Sequence, residues 1–205
     1  MIKKISNAFT LVEILVVISV LSIVGVIILT IFTRTLKGNN KAQILSAIKQ
    51  NGQAVLENMD KTIRGADNIV CISLSKDTIV VVQGGVYTRY RFIAPIKPDT
   101  ANGLIQQANP VQINASGDFK LFKDNVCADP MGTDTPGGNL INTLTDTNLQ
   151  SGVSVENGSF ENKNPLAGFK DAVAIKFQLT PGLKAPPAVA GQIDAVNFET
   201  TVQLR

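Results

Sequence analysis

Hydrophobic positions are spread unevenly along the chain. Residues 14–32 carry no charge and no proline, and only Ser19, Ser22, Gly25 and Thr30 interrupt the apolar side chains. At ~1.5 Å per residue a helix of this length reaches about 28 Å, close to the hydrocarbon thickness of a bilayer. The run is long enough to cross a membrane. Farther on, the apolar positions fall into helical spacing. Ile44, Leu45, Ile48, Val55, Leu56, Met59 and Ile63 share one face, and Lys41, Gln43, Lys49, Gln50, Gln53, Glu57 and Lys61 lie opposite. This predicts an amphipathic helix over 34–65, with Gly38-Asn39-Asn40 as a candidate kink or brief interruption and Gly65 as its C′ residue.

The pattern then changes to strands. Segments 68–74, 78–83 and 86–93 alternate or run apolar and are rich in β-branched residues, and Gly84-Gly85 between the last two is a tight hairpin signal. They predict an antiparallel meander onto which the helix stripe packs. Residues 94–152 are rich in Pro, Asn, Asp, Gly and Thr and read as a long loop, with short strand candidates only at 111–113 and 119–122. Three further strands, at 153–160, 172–180 and 193–204, complete a second sheet or the far half of the first. The expected fold class is α+β: a long N-terminal helix, membrane-spanning in its first half, packed on a C-terminal antiparallel β-sheet domain.

Composition narrows the chemistry. The 205 residues suit one globular domain plus an appended segment. Histidine is absent and there are two cysteines, so a Cys/His zinc site, a Ser-His-Asp triad and a Cys-His pair cannot be built within the chain. No carboxylate spacing marks a hydrolytic pair. Asp124, Asp129, Asp134 and Asp146 could offer oxygens to calcium, but they lack an EF-hand pattern, and a solvated loop is the plainer reading. No cofactor is expected. Cys71 and Cys127 stand 56 positions apart, without CxxC spacing. They read either as a structural disulfide in an oxidising compartment, stabilising by about 4 kcal/mol in the chain-entropy model, or as two buried thiols. Within 86–92, Tyr87, Arg89 and Arg91 share a face that could meet single-stranded nucleic acid or could be an ordinary half-exposed strand. Sequons occur at Asn114 and Asn157.

Charge bears on the N-terminus. Lys3 and Lys4 precede the apolar run without a nearby acidic residue, which by the positive-inside rule puts the N-terminus in the cytoplasm and the chain beyond Arg34 outside. No small-x-small cleavage site follows the run, so the helix is expected to stay. Glu13 stands at the entrance of the run, where a carboxylate is costly and calls for a partner. The segment Asn7-Ala8-Phe9-Thr10-Leu11-Val12-Glu13 resembles the type III signal of type IV pilins and type II secretion pseudopilins. The resemblance implies cleavage by a prepilin peptidase between Ala8 and Phe9, N-methylation of Phe9, and Glu13 as the glutamate at the fifth position of the mature chain. The family usually has Gly before the cut, and Ala8 departs from that. Loss of Lys3 and Lys4 from the 19 basic residues would leave 17 against 16 acidic ones, a balance with no general attraction for nucleic acid. The exposed amine of Phe9 could pair with Glu13 of a neighbouring subunit in low dielectric, relieving both desolvation penalties.

The expected organisation is a leader over 1–8, a transmembrane and filament-core helix over 9–33, an amphipathic helix over 34–65, and a β-rich domain over 66–205 with a loop at 94–152. The C-terminal stretch 196–205, ending Thr201-Val202-Gln203-Leu204-Arg205, is similar to the terminal strand of J-type minor pseudopilins and W-type minor pilins. Leu144-Thr145-Asp146 and the Gly-Val-x-Val and Ser-Phe stretch after it are similar in order to the same group. Together these imply a non-catalytic filament subunit, with prepilin peptidase, other pilin or pseudopilin subunits and the inner membrane as partners. It would be a single-pass membrane protein that later enters a filament. A major pilin, or a membrane-tethered module binding DNA or surfaces through 94–152, are the alternatives.

Overall fold

The computed structural model describes residues 10–96, 98, 100–111, 126–127, 140–163, 170–186, 191 and 193–205. Helix α1 spans Leu11–Arg64. Helical hydrogen bonding continues through Gly38-Asn39-Asn40, so the proposed interruption there does not occur. The chain divides into two compact units between Ala42 and Gln43. In the first unit, helix residues 11–42 are all exposed. In the second, Ile48, Gly52, Val55, Met59 and Ile63 recur every three or four positions and form the buried helix face. Past Arg64 the chain tightens, with the Gly65 N–H donating to Lys61 O at 3.2 Å and the Ala66 N–H to Ile63 O at 3.1 Å.

Strands β1 (Asn68–Ser73), β2 (Thr78–Gln83) and β3 (Val86–Ile93) form the expected meander. Gly84 and Gly85 both have positive φ, 55° and 81°, as a two-residue hairpin between Gln83 and Val86 requires. The sheet continues into the segment read as a loop, through β4 (Leu104–Val111), β5 (Val126–Cys127) and β6 (Leu140–Thr143). Its order is β5-β1-β2-β3-β4-β6, antiparallel except where β5 joins β1. The strand candidate at 119–122 lies outside the described residues, and of 111–113 only Val111 is described, as the last residue of β4. Strands β7 (Val153–Asn162), β8 (Ala172–Pro181) and β9 (Val196–Gln203) make a second antiparallel sheet in that order.

One core joins these layers. The helix face meets Ile69, Ile79, Val81, Tyr90, Phe92 and Ile105 of the first sheet, and Phe160, Ile175, Phe177 and Leu179 of the second. Phe92 stacks on Phe160 at 4.7 Å and leans on Phe177 at 5.8 Å, and Phe177 stacks on Phe198 at 5.1 Å, so four rings run through both sheets. β7 also hooks onto the first sheet by backbone: Val155 N–H to Gly103 O at 3.0 Å, and Phe160 N–H to Lys76 O at 2.7 Å. The buried Asn102 holds the loops at the far end, donating to Asn148 O at 2.9 Å and accepting from the Leu183 N–H at 2.9 Å. A second, smaller cluster of Cys71, Val80, Ala108, Val111 and Cys127 completes the interior.

Candidate functional site

The first turn of α1 is closed by a reciprocal pair. The Glu13 N–H donates to Thr10 Oγ1 at 3.3 Å, and Glu13 Oε2 accepts from the Thr10 N–H at 3.3 Å. The Thr10 hydroxyl also lies 3.4 Å from Oε2. This is a capping box: a threonine and a glutamate three residues apart satisfy amide groups that a helix start leaves open. The carboxylate also sits at the positive end of the helix dipole. Both bonds that the carboxylate accepts from Thr10 end on Oε2. Glu13 stands out in the sequence by its place at the apolar entrance, and the capping role of Thr10 rests on a fainter pattern. Its signal, Thr-x-x-Glu before an apolar run, is in the sequence.

The run that follows is exposed along its whole length in this unit, from Ile14 at 50% to Phe32 at 59%. α1 is the one described helix long and apolar enough to cross a membrane. Its hydroxyls make no outward demand. Ser19, Ser22, Thr30, Thr33 and Thr35 each donate to the carbonyl four residues earlier, at 2.7 to 2.9 Å. A hydroxyl bonded inside its own helix is tolerated in hydrocarbon, where an unpaired one costs several kcal/mol, about the figure for any unsatisfied polar group there.

The other candidate residues fall elsewhere. Ala8 and Phe9 lie outside the described residues, as do Asp124, Asp129, Asp134 and Asn114. Asp146 is exposed and accepts the Asn148 N–H at 3.0 Å in its own loop. Among the described residues no group of three or more His, Cys, Asp or Glu is placed to hold a metal. Cys71 in β1 and Cys127 in β5 are joined by a disulfide, with Cα atoms 5.2 Å apart. On β3, Tyr87 and Arg91 are half-buried and Arg89 is 3% exposed, so this face is not an open basic surface for nucleic acid. Asn157 is exposed on β7, its amide donating to Gln178 Oε1 at 3.0 Å.

The layout is the α+β, pilin-like one, with the apolar part of a single helix at the N-terminus and antiparallel sheets packed on the helix beyond residue 43. A search of curated proteins and of solved structures finds no match. A family model does match, the prokaryotic N-terminal methylation motif, over residues 3–29. That interval contains the basic pair, the Ala8-Phe9 junction, Thr10, Glu13 and most of the apolar run. The motif implies processing by a prepilin peptidase and assembly with other pilin subunits. The N-terminus of this chain is a type IV pilin-like prepilin signal.

Proposed function

We propose that the chain is a non-catalytic structural subunit of a type IV pilus or type II secretion pseudopilus, of the minor J- or W-type class. The observation that carries this reading is the methylation motif at 3–29, running without a break into a helix whose apolar part is 19 residues long and whose first turn holds Glu13. The order of events follows from the chemistry. The helix enters the membrane as a single span with the N-terminus in the cytoplasm, the leader 1–8 is removed, and Phe9 is methylated. The new amine then meets a Glu13 carboxylate of a neighbouring subunit as the helices bundle. The cap survives cleavage, since Thr10 keeps its amide when Phe9 becomes the first residue. Orientation rests on the motif rather than on charge alone, because Lys3 and Lys4 on one side are answered by Arg34, Lys37 and Lys41 on the other.

N-terminal sequencing of the mature protein tests the first step. Methylated Phe9 is expected, and an intact Met1 in cells with an active prepilin peptidase would sink the reading. Glu13→Gln should be processed normally yet enter filaments poorly. An amine left unpaired in the bundle costs about 3 to 5 kcal/mol, which corresponds to a loss of incorporation of 100-fold or more. The minor class is supported by the C-terminal residues Thr201-Val202-Gln203-Leu204-Arg205, which run through and past the end of β9 and resemble that class's terminal sequence. Quantitative mass spectrometry of sheared filaments checks it: a minor subunit is present in few copies, and a stoichiometric one would be the major pilin instead.

A further inference from the structure

Between Glu13 and Glu57 the chain has no acidic residue, yet Arg34, Lys37 and Lys41 follow the apolar run in close succession. All three lie on α1, all are exposed, and no ion pair formed between described residues involves them. At about 100° per residue they fall within an arc of roughly 60°, so they make a single stripe. From Phe32, a rise of ~1.5 Å per residue puts Arg34 about 3 Å, Lys37 about 7.5 Å and Lys41 about 13.5 Å farther along the axis. The headgroup layer of one leaflet is about 5 to 8 Å deep. Arg34 and Lys37 therefore stand in it and Lys41 just beyond. Helical side chains lean toward the helix N-terminus, here toward the membrane, and long basic side chains keep their stems on apolar surface while the charge reaches the interface.

We propose that Arg34, Lys37 and Lys41 form a docking stripe for the phosphates of anionic lipid headgroups at the far end of the span. The inference rests on the membrane-spanning reading of α1, and it holds for either orientation of the helix. The occupant follows from the direct continuity of the stripe with the apolar run, the backward lean of its side chains, and the absence of any acidic residue on this stretch of the chain to neutralise it.

Because the protein contains no tryptophan, Leu36→Trp supplies a single donor at the axial level of the stripe, between Arg34 and Lys37 along the helix. The full chain carrying it is reconstituted into phosphatidylcholine vesicles holding a trace of either dansyl-phosphatidylglycerol or dansyl-phosphatidylcholine. Energy transfer should favour the glycerol lipid by about twofold or more at low salt, as basic residues near a charged surface dictate, and lose that preference in high salt. It should also be lost on adding Arg34→Gln, Lys37→Gln and Lys41→Gln, with insertion, read by resistance to carbonate extraction, unchanged. Equal transfer to both lipids with the stripe intact and the chain inserted overturns the proposal, and would leave the stripe to an acidic protein partner. Failure of the chain to insert at all overturns the membrane reading beneath it.

Discussion

Tyr90 carries its hydroxyl from β3 into the core beneath the helix. It donates to Asn58 Oδ1 at 3.0 Å and accepts from Gln107 Nε2 at 3.1 Å, so one phenol ties α1, β3 and β4 together. Burial pushes its pKa up to about 12, with the Thr62 hydroxyl pulling slightly the other way. In the unfolded chain the phenol titrates near ~10. Between about pH 10 and 12 the unfolded state has lost a proton that the folded state retains, so this contribution is whole below pH ~10 and is lost as pH rises through ~12. Tyr90→Phe should cost about 0.5 to 1.5 kcal/mol at neutral pH, because the half-buried Gln107 loses a partner while the exposed Asn58 can turn to water. It should also flatten the alkaline fall in stability relative to the parent chain. Denaturant titrations at pH 8 and 11 check both, and parallel falls in the two proteins would count against the assignment. That Tyr90 and Phe92 point one way and Tyr87, Arg89 and Arg91 the other was legible from strand alternation. The burial of Arg89 was not, because alternation says which residues share a face and nothing about what covers it.

At the level of elements, the helix approaches β9 so closely that a Cβ at Gly52 would collide with the ring of Phe198. The same ring is stacked on Phe177, so it cannot retreat without breaking the aromatic row. Gly52→Ala should therefore destabilise the β unit by about 1 to 3 kcal/mol, the usual cost of overpacking, although alanine is the better helix former. A double-mutant cycle with Phe198→Leu tests the cause: the two changes should couple by more than ~0.5 kcal/mol, whereas additive effects would place the strain elsewhere. Gly52 stands at the right spacing in the helix stripe but has no side chain, so hydrophobicity counting passes over it. β4 escaped for a related reason. Its Gln106-Gln107-Ala108-Asn109-Pro110 stretch has weak strand propensity, and it becomes a strand because β3 and β6 pair with it on both sides. The hairpin at Gly84-Gly85 was readable because only residues tolerant of positive φ fit it, and both glycines show that backbone.

For the whole molecule, the disulfide closes a loop of 56 positions that contains β2, β3 and β4. Both cysteines are buried, at 0% and 2% exposure. A Cys71→Ala, Cys127→Ala variant should lose about 4 kcal/mol in the chain-entropy estimate. Unfolding in detergent, compared with the oxidised parent, checks it, and an unchanged midpoint would mean that the bond constrains little. The candidate site was legible in outline from the N-terminal residues alone, since a charge before an apolar run and a carboxylate at its mouth are linear features. The pairing of β5 with β1 was not, because it joins residues that no local pattern connects.

The inward-turned hydroxyls of Ser19, Ser22, Thr30, Thr33 and Thr35 have one more consequence. A helix that satisfies its own polar groups treats acyl chains and neighbouring helices as interchangeable solvents, and leaving one for the other breaks no hydrogen bond along the run. On the proposed assembly reading, the choice between bilayer and filament is therefore made where the chain is not neutral. At one end stands the Glu13 carboxylate, which on that reading gains when an amine arrives from another subunit. At the other stands the basic stripe, which loses when lipid phosphate is left behind. The span itself is indifferent, and its two ends act as opposing weights on extraction.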